Sequence, residues 1–338
     1  MNSRKLPSIS IIIVNHNGKN YILNCLGSLQ NLQYPKDLVE IIIVDNNSTD
    51  GSAEVIRKFY QNVKIIELKK NYGFCLPNNL GARAACGDYL VFLNNDTQVY
   101  PDWLIELVKP LSYDPLIISV VGKLLYMDNP KIVNVAGGYL SIFGGYYNGY
   151  RKPDGPEFNV PKYTGFGTGA GVLVKRDFFL KIGGFDPLYW ASMEEVELGW
   201  IIWRTGYRVY YNPKALMLHA ESGTYGKKGI YDPIKLFFLT RNRLLMLFKV
   251  ASARMLLLSL LLVPLVDILK AIVLKNRELR ISIIRGHICF LKHIKYIKRK
   301  RAFIQRFFIK DIHHMKRFEI WQPLQDSLKE FIRLFLKG

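Results

Sequence analysis

The sequence predicts an α/β fold: a doubly wound, mostly parallel mixed sheet followed by a helical C-terminal extension. In the first hundred residues, apolar runs rich in β-branched residues alternate with amphipathic helical segments. Their spacing of roughly 30 residues is typical of βαβ units, which build parallel sheets. Several apolar runs end abruptly in Asn or Asp, as strands that deliver polar groups to a sheet edge do. From Leu236 onward the pattern is helical and strongly basic.

The first hundred residues predict four strands and three helices. Continuous β-branched runs predict buried strands, and apolar residues at helical spacing predict amphipathic helices. Asp50 is predicted to cap the second helix, which ends at Tyr60. The predicted strands are Ser8–Val14, Val39–Val44, Val63–Leu68 and Tyr89–Leu93, and the other two helices are Tyr21–Leu32 and Pro77–Cys86.

The middle of the chain predicts a glycine-rich segment between further helices and strands. Gly137–Gly155 holds six glycines and five aromatic residues, and we interpret it as a hairpin or mobile flap. The other predictions are helices at Asp102–Leu111 and Glu194–Arg204 and strands at Gly169–Val174, Tyr207–Tyr211 and Ala215–Leu218. We expect a catalytic domain over residues 1–235, with halves at about 1–100 and 101–235, and a helical membrane-associating region over 236–338.

Charge and cysteine content indicate where the protein works. The net charge is +20, and residues 270–317 alone hold fifteen Lys or Arg against two acids. Such a segment binds an anionic partner. Four scattered cysteines without a CxxC pair indicate neither a zinc site nor a disulfide framework. The first residues lack the apolar stretch of a signal peptide, so we expect a catalytic part in the cytosol.

An uncharged stretch and a basic cluster favour a membrane as the anionic partner. Met255–Val266 is twelve residues long, whereas a spanning helix needs about 20. We therefore expect an interfacial helix. Lys298–Arg301 also fits a nucleic-acid patch, but the apolar residues interleaved around it are typical of a membrane-surface helix.

Polar residues follow four successive predicted strands. They are Asn15, Asp45, Asn71 and Asp96, and the carboxyl ends of parallel strands meet in one crevice. Asp96 alone could simply form a turn. With a diphosphate supplying further oxygens, it could hold Mg²⁺ or Mn²⁺. His219, at the end of a later strand, either bonds to backbone or completes the coordination of that metal.

Three glutamates open the predicted helix at Glu194. Carboxylates favour helix N-termini through the macrodipole, which explains Glu194, Glu195 and Glu197 without a function. The functional interpretation makes one of them a general base. Between the third and fourth strands, Asn71–Phe74 and Asn78 are either an ordinary loop or a ligand contact, since glycine admits a ligand and Asn offers amide donors.

Taken together, these residues resemble the family 2 glycosyltransferases, in particular rhamnosyltransferase-like members. The resemblance covers about Ser8 to Gly226, with its blocks in order and at family spacing. The blocks are Ser10–Gly18, Glu40–Ser52, Asn71–Gly81 with Gly87–Thr97, and Gly169–Asp186 with Glu194–Trp200 and Gly206–Val209.

The resemblance implies a GT-A fold and an inverting hexosyltransferase that uses a nucleotide-sugar donor and a divalent cation. Asp96 takes the metal-binding position of a DxD-like motif, with Asn94 replacing the first Asp, and His219 matches a histidine near the metal. Glu195 takes the position of the base, although Glu194 or Glu197 could replace it. The residues expected at the nucleotide and donor sugar are Asn15, Asn17, Asp45, Asn47, Asn71, Gly73, Asn78, Asn94 and Asn95.

Three departures from the family pattern concern the base, the donor loop and the helix after the base. They are Glu195 in place of Asp, Pro77 in a region usually rich in Gly and Ala, and Ile201 where Arg is common.

The expected function is transfer of a sugar from a dTDP- or UDP-linked donor to a glycan or lipid-linked acceptor in cell-envelope polysaccharide biosynthesis. We expect peripheral or monotopic binding to the cytoplasmic membrane face, with residues 250–320 on anionic lipid and no nucleic-acid partner. Two alternatives are a membrane-bound nucleotide-sugar-binding module without turnover and a sugar nucleotidyltransferase. The latter usually has a Gly-rich, Arg/Lys-bearing loop after its first strand, and Asn15–Gly18 is not such a loop.

Overall fold

The computed structural model of the protein describes residues 6–221 and 232–308. Within these ranges a mixed sheet of eleven strands forms the centre, and two further strands form a separate hairpin. The strands are β1 Ile9–Asn15, β2 Val39–Asp45, β3 Val63–Glu67, β4 Tyr89–Asn94, β5 Thr97–Val99, β6 Ile117–Tyr126, β7 Ile132–Val135, β8 Gly138–Ser141, β9 Gly144–Tyr147, β10 Lys152–Pro153, β11 Lys162–Thr164, β12 Gly171–Lys175 and β13 Arg208–His219.

Ten α-helices occur in the same ranges. They are α1 Lys19–Gln30, α2 Ser52–Phe59, α3 Cys75–Ala84, α4 Trp103–Val108, α5 Arg176–Lys181, α6 Glu194–Arg204, α7 Pro233–Val250, α8 Ala253–Val273, α9 Arg277–Lys292 and α10 Ile294–Ile304.

The first half of the sheet is parallel and the second half is mixed. Strands β3, β2, β1 and β4 lie side by side in parallel, with Asn15 opposite Asp45 at the ends of β1 and β2. Strand β12 then pairs antiparallel with both β4 and β6, and β13 runs parallel to β6. The carboxyl ends of β1, β2 and β4 therefore share one edge, as the sequence predicted.

Helices cover both faces of the sheet because successive side chains along a strand point to opposite faces. On one face, Ile11 of β1 packs in a core with residues of α1, α2 and α4. On the other face, Ile12 belongs to a core that also holds residues of α3, α5, α6 and α7. This two-sided cover is the doubly wound arrangement predicted from the alternating pattern.

Two local predictions need correction. The N-cap of α2 is Gly51, in a left-handed conformation with φ 78°, and not Asp50. Asp50 still binds this helix, because its Oδ1 accepts from the Ser52 amide at 3.1 Å. Tyr207–Tyr211 and Ala215–Leu218, predicted as separate strands, belong to one strand, β13, whose pairing with β6 is irregular between Tyr211 and Leu216.

The glycine-rich segment is a hairpin whose turn is buried. Strands β8 and β9 pair antiparallel, and Ile142 and Phe143 between them belong to the apolar core. Ser259 of α8 donates to the carbonyl of Ile142 at 2.8 Å. The hairpin alternative is therefore correct, and its turn is packed against α8 in this structure.

The C-terminal helices begin close to the predicted position, but α8 is longer than the uncharged stretch suggested. It has 21 residues and continues past Pro264 and Asp267. Asp267 is accommodated because Arg243 of α7 donates to both of its oxygens, at 2.5 and 2.7 Å. By length and composition, α8 could cross a membrane, and 22% of its most apolar window is buried. Length therefore does not favour an interfacial helix over a spanning one.

The division proposed at residue 235 stays a prediction. Helix α7 begins at Pro233, and its buried Leu244, Leu245 and Met246 belong to the same core as Val196 of α6. The part of the basic region beyond residue 308, up to Arg317 and residue 338, lies outside the described residues, as does Gly226.

Candidate active site

The ends of β1 and β2 form a buried polar floor. Asn15 and Asp45 are both buried at this edge. The Asn15 amide donates to the Ser52 hydroxyl at 2.9 Å, and its oxygen accepts from the Asn95 amide at 2.8 Å. Asp45 accepts from the backbone amide of Ser48 at 2.9 Å. Asn15 therefore connects the loops after β2 and β4 from its position on β1.

The loops after β1 and β2 are held together by Asn17. Its side-chain oxygen accepts from the Thr49 amide at 2.7 Å. Asn17 and Asn47 have φ values of 51° and 66°, a left-handed conformation that Asn tolerates better than most residues. Both side chains are exposed, so they lie where a ligand on the buried floor would meet solvent.

Asn46, which the sequence analysis did not single out, fixes the loop after β3. Its amide donates to the Asn71 side chain and to the Gly73 carbonyl, both at 2.9 Å. Its oxygen accepts from the Tyr72 amide at 2.9 Å. Gly73 has φ 76°, and a Cβ there would lie 2.6 Å from ring carbons of Trp190. The loop is thus held by hydrogen bonds from Asn46 on one side and covered by the Trp190 ring on the other.

Asn78 is buried in α3, one turn after the start of that helix. Its amide donates to the carbonyl of Phe74 at 2.9 Å. Pro77 lies in the first turn of the same helix, where a missing N–H breaks no intrahelical bond. The amide of Asn78 is therefore already engaged within the protein, whereas Asn94 and Asn95 lie on the shared sheet edge.

Asp96 and His219 meet at this edge because β13 pairs with β5. Register places His219 opposite Thr97, and the Ala220 amide donates to the Asp96 carbonyl at 3.0 Å. The two side chains are buried, with His219 Nε2 3.3 Å from Asp96 Oδ1. Asn94 also lies 3.4 Å from the same imidazole nitrogen.

A hydrogen-bond chain assigns the tautomer of His219. The amide of Asn134 donates to Glu221 at 3.4 Å, which directs its oxygen to Nδ1 of His219 at 3.0 Å. An oxygen acceptor at Nδ1 requires the proton there. Nε2, on the other side of the ring, faces the Asp96 carboxylate. Sequence reasoning missed Asn134, which sits in no recognisable motif.

This pair fits a divalent cation. The Nε2 nitrogen of His219 and the Oδ1 oxygen of Asp96, 3.3 Å apart, are both atoms that can bind a divalent cation when the imidazole is neutral. Two adjacent ligands of an octahedral ion, each at about 2.1 Å, stand about 3 Å apart. Within the described ranges, the chain offers no cluster of three or more His, Cys, Asp or Glu residues for a metal. Other oxygens, such as phosphate or water, would have to complete the coordination.

The N-terminus of α6 lies at the same edge. The backbone amide of Asn94 donates to the backbone carbonyl of Ala170 at 3.2 Å. A Cβ on the preceding Gly169 would lie 3.8 Å from Glu194 Oε1. The predicted helix Glu194–Arg204 is observed with the same bounds. Its first carboxylates are therefore neighbours of the loop that holds Asp96.

Glu194 and Glu195 are neighbouring buried carboxylates, and the pKa of each is raised. Burial raises the pKa of Glu194 well above its usual range, and the Glu195 carboxylate raises it further. Burial also raises the pKa of Glu195, but Tyr147 of β9 donates a hydrogen bond to it and opposes this effect. The aromatic density of the hairpin was the only sequence signal for Tyr147.

Glu197 is engaged elsewhere. It is buried, and Lys249 of α7 donates to it at 3.0 Å and to Asp186 at 2.7 Å. Lys249 is itself buried, so one ammonium group is shared by two buried carboxylates. Among the three glutamates at this helix end, Glu194 and Glu195 remain the candidates for proton transfer.

Comparison with known proteins gives one family. The Glycosyl transferase family 2 model matches residues 10–183, more than half of the chain. That range includes Asn15, Asp45 and Asp96 and ends before Glu194.

Two similar proteins are named for roles in polysaccharide or glycolipid biosynthesis. O-antigen biosynthesis protein RfbC of Myxococcus xanthus is 30% identical over 234 residues, which are 65% of this chain and 18% of that protein. N-acetylglucosaminyl-diphospho-decaprenol L-rhamnosyltransferase of Mycobacterium tuberculosis is 26% identical over 213 residues, 56% of this chain and 69% of that protein. The chain therefore spans less than a fifth of the length of RfbC.

Among solved structures, GalNAc-T7 with UDP, GalNAc and Mn²⁺ has a similar fold. The TM-score is 0.59 at 19% identity, and the likeness covers 87% of this chain and 57% of that one.

Proposed function

The chain belongs to glycosyl transferase family 2 and has the GT-A fold, and from this premise we propose that it transfers a sugar from a nucleotide-diphosphate donor to an acceptor hydroxyl. The observation that carries the proposal is the shared sheet edge. It brings the buried Asn15 and Asp45, the pair Asp96 and His219, and the carboxylates of α6 together.

The donor nucleotide would lie on the floor formed by the ends of β1 and β2. Asp45 and Asn15 supply an acceptor and an amide there, and Asn17 and Asn47 flank the opening. The loop of Asn71 and Gly73, with Asn94 and Asn95, would face the donor sugar, and Asn78 would support this loop through its bond to the Phe74 carbonyl. We propose a dTDP- or UDP-linked donor. The GalNAc-T7 structure contains UDP, which supports a nucleoside diphosphate without fixing the base.

Asp96 and His219 would hold a divalent cation, Mn²⁺ or Mg²⁺, together with diphosphate oxygens. When bound, such a cation neutralises the negative charge of the nucleoside diphosphate leaving group. Mn²⁺ in the GalNAc-T7 structure supports this assignment. The Asn94 and Asn95 side chains would orient the diphosphate from the same loop.

Glu195 would act as the base, with Glu194 as the alternative. Glu195 removes the proton from the acceptor hydroxyl, whose oxygen attacks the anomeric carbon opposite the leaving group. One bond forms as the bond to the diphosphate oxygen breaks, so a hexosyl group would be transferred with inversion. The hydrogen bond from Tyr147 favours the deprotonated form of Glu195, and only the deprotonated form can accept the proton.

The C-terminal helices would bind the cytoplasmic face of the cell membrane, where lipid-linked acceptors are found. Leu257 and Leu261 of α8 are 74% and 69% exposed, and Leu291 of α9 is 64% exposed. Exposed apolar side chains beside a basic segment suit an anionic bilayer. Residues 250–320 would form this contact, in a peripheral or monotopic mode, although those beyond residue 308 lie outside the described ranges. We propose no nucleic-acid partner.

The acceptor would be a glycan or lipid-linked sugar of cell-envelope polysaccharide. The names of RfbC and of the mycobacterial rhamnosyltransferase support this class. A binding module without turnover remains the second candidate, since Glu195 replaces the Asp that is usual in the family. A sugar nucleotidyltransferase is not favoured because the loop after β1 lacks a glycine-rich phosphate cradle.

The first experiment is thermal stabilisation of the full chain by UDP, dTDP, GDP and CMP and by their sugar conjugates, with and without Mn²⁺ or Mg²⁺. If only one of these nucleotides raises the melting temperature, and only in the presence of metal, its base identifies the donor class. Release of nucleoside diphosphate on addition of lipid-linked acceptor would then demonstrate turnover. Metal-dependent binding without release with any acceptor would favour the binding module, and no shift at all would contradict the assignment of the site.

A further inference from the structure

The segment that precedes α6 is strained. Trp190, Ser192 and Met193 have φ values of 62°, 74° and 78°. None is glycine, and each such conformation costs about 1–3 kcal/mol, which the surroundings must offset. Three of them within four residues, ending beside Glu194, therefore require strong local restraint.

Helix α7 supplies that restraint through Asn242. This side chain is fully buried, and its amide lies 3.0, 2.8 and 2.8 Å from the carbonyl oxygens of Tyr189, Ala191 and Ser192. One amide group with two hydrogens thus serves three carbonyls of the strained segment, with one hydrogen shared.

Arg241 orders Asn242 and adds two bonds of its own. Its Nε donates to the Asn242 oxygen at 2.9 Å, which directs the amide of Asn242 toward the segment. Its guanidinium also donates to the carbonyls of Leu188 and Tyr189, at 2.7 and 2.9 Å. Neighbouring residues of one helix therefore fix the backbone from Leu188 to Ser192.

The strained segment in turn fixes the loop assigned to the donor sugar. The Trp190 carbonyl accepts from the amides of Phe74 and Cys75, at 2.6 and 3.3 Å. The Trp190 indole packs against Gly73 on one side. It also stacks on Phe238 of α7, with centroids 5.3 Å apart and rings 8° from parallel. One segment thus links α7, the donor loop and the first residues of α6.

We propose that Asn242, ordered by Arg241, is a positioning residue for the reaction: it holds the Tyr189–Met193 segment so that the donor loop and Glu195 keep a fixed relative position. This proposal rests on the proposed function of the site. Asn242 acts through the segment and touches neither substrate nor metal. A displacement of about 1 Å between reacting groups can lower a rate by about 100-fold, so a residue of this kind affects kcat.

The test replaces Asn242 by Asp, which has nearly the same shape but places an acceptor against the three carbonyls. The matched control is Asn212→Asp. Asn212 is also buried, and its amide donates to the carbonyl and to the carboxylate of Glu106, at 2.8 and 2.9 Å, and not to the segment. Both variants lose a buried amide donor, so both lose stability. Only Asn242→Asp should displace the Tyr189–Met193 segment.

Two readouts separate positioning from general destabilisation. We expect Asn242→Asp to lower kcat by about 10- to 100-fold, while the Kd for nucleoside diphosphate, bound at the ends of β1 and β2, changes by less than about threefold. We also expect faster hydrogen exchange at the Phe74 and Cys75 amides, which bond to Trp190. Asn212→Asp should leave both kcat and these two exchange rates near their wild-type values.

Either of two results would overturn the proposal. One is unchanged exchange at Phe74 and Cys75 in Asn242→Asp, and the other is a kcat equal to that of Asn212→Asp at equal stability. If the wild-type chain itself turns over no donor, the proposed function fails. The exchange measurement still tests whether Asn242 holds the segment in that case.

Discussion

Nε2 of His219 lies 3.3 Å from Oδ1 of Asp96, and both side chains are buried at the edge where the strands end. The two residues are far apart in sequence and meet through the pairing of β13 with β5. The side-chain oxygen of Asn134 lies 3.0 Å from Nδ1 of His219 and holds the ring with Nε2 toward the carboxylate. The first two predictions concern this relationship.

Asp96→Asn should abolish the metal-dependent part of nucleotide stabilisation. The amide keeps the shape of the carboxylate but lacks the charge that a hard divalent cation requires. Thermal unfolding with nucleotide, with and without Mn²⁺, measures this. Asp177→Asn is the control, since Asp177 has a side chain 84% exposed, and it should retain the full shift. A metal-dependent shift that survives in Asp96→Asn would remove Asp96 from the site.

Asn134→Leu should weaken Mn²⁺ binding in the presence of nucleotide by about 10- to 100-fold, the range found when the hydrogen-bond partner of a metal-binding histidine is removed. Leucine leaves Nδ1 of His219 without its acceptor, so the imidazole loses its fixed tautomer and orientation. Free Mn²⁺ can be followed by electron paramagnetic resonance. Asn148→Leu is the comparison, because the Asn148 amide donates to the Ala136 backbone instead. Equal Mn²⁺ affinity in both variants would argue against the assigned role.

Tyr147→Phe should move the acidic limb of the pH–rate profile to higher pH. Burial raises the pKa of Glu195, and the bond from Tyr147 lowers it in part. Without that bond the pKa rises further. Because a base works only when deprotonated, activity is then lost at a higher pH as the solution is acidified. Tyr139→Phe on the same hairpin should leave the limb in place. If the acidic limb of the pH–rate profile does not move in Tyr147→Phe, a residue other than Glu195 is the base.

Lys249→Met should destabilise the fold by about 3–5 kcal/mol, since it leaves Asp186 and Glu197 buried without their cation. Urea unfolding measures the change. Lys109→Met removes a lysine that is 50% exposed and paired with Glu106, and about 0–1 kcal/mol is expected there. A similar small loss in both variants would mean that the buried cluster relaxes or takes up water.

Full-length protein should float with vesicles that contain phosphatidylglycerol and much less with pure phosphatidylcholine. Replacing Leu257, Leu261 and Leu265 on the exposed face of α8 by Gln should weaken flotation with both kinds of vesicle. Replacing the exposed Tyr113, Leu116 and Val160, outside the C-terminal helices, provides the control. Retained flotation after the α8 substitutions would assign binding to another surface, and steep salt-dependent RNA or DNA binding would favour nucleic acid.

The sequence predicted the sheet edge because an apolar strand and the polar residue that ends it are local signals. β-Branched runs ending in Asn15, Asp45 and Asp96 are readable one strand at a time, and parallel strands bring their ends together. The bounds of α6 were also correct. Asn134, Tyr147 and Asn242 could not be found this way. Each acts through a partner distant in sequence, and a buried polar residue in an apolar segment shows no periodicity that reveals its partner.

The length of α8 was underestimated for a related reason. Asp267 looked like the end of the uncharged stretch, but its compensation by Arg243 of α7 and His287 of α9 depends on tertiary packing. The segment Gly137–Gly155 was interpreted as a hairpin or mobile flap because it holds six glycines. Its burial depends on α8, which no local pattern connects to it.

The burial of α7 has a practical consequence for making a soluble form of the protein. Trimming the chain at residue 235, where its composition changes, would remove Asn242 and Lys249. It would also remove Leu244, Leu245 and Met246, which share an apolar core with Val196 of α6. Such a fragment should aggregate or lose nucleotide turnover even though Asp96 and Glu195 are retained. A soluble version would have to keep the fold through Val250 and replace the outward leucines of α8 instead of deleting the helices.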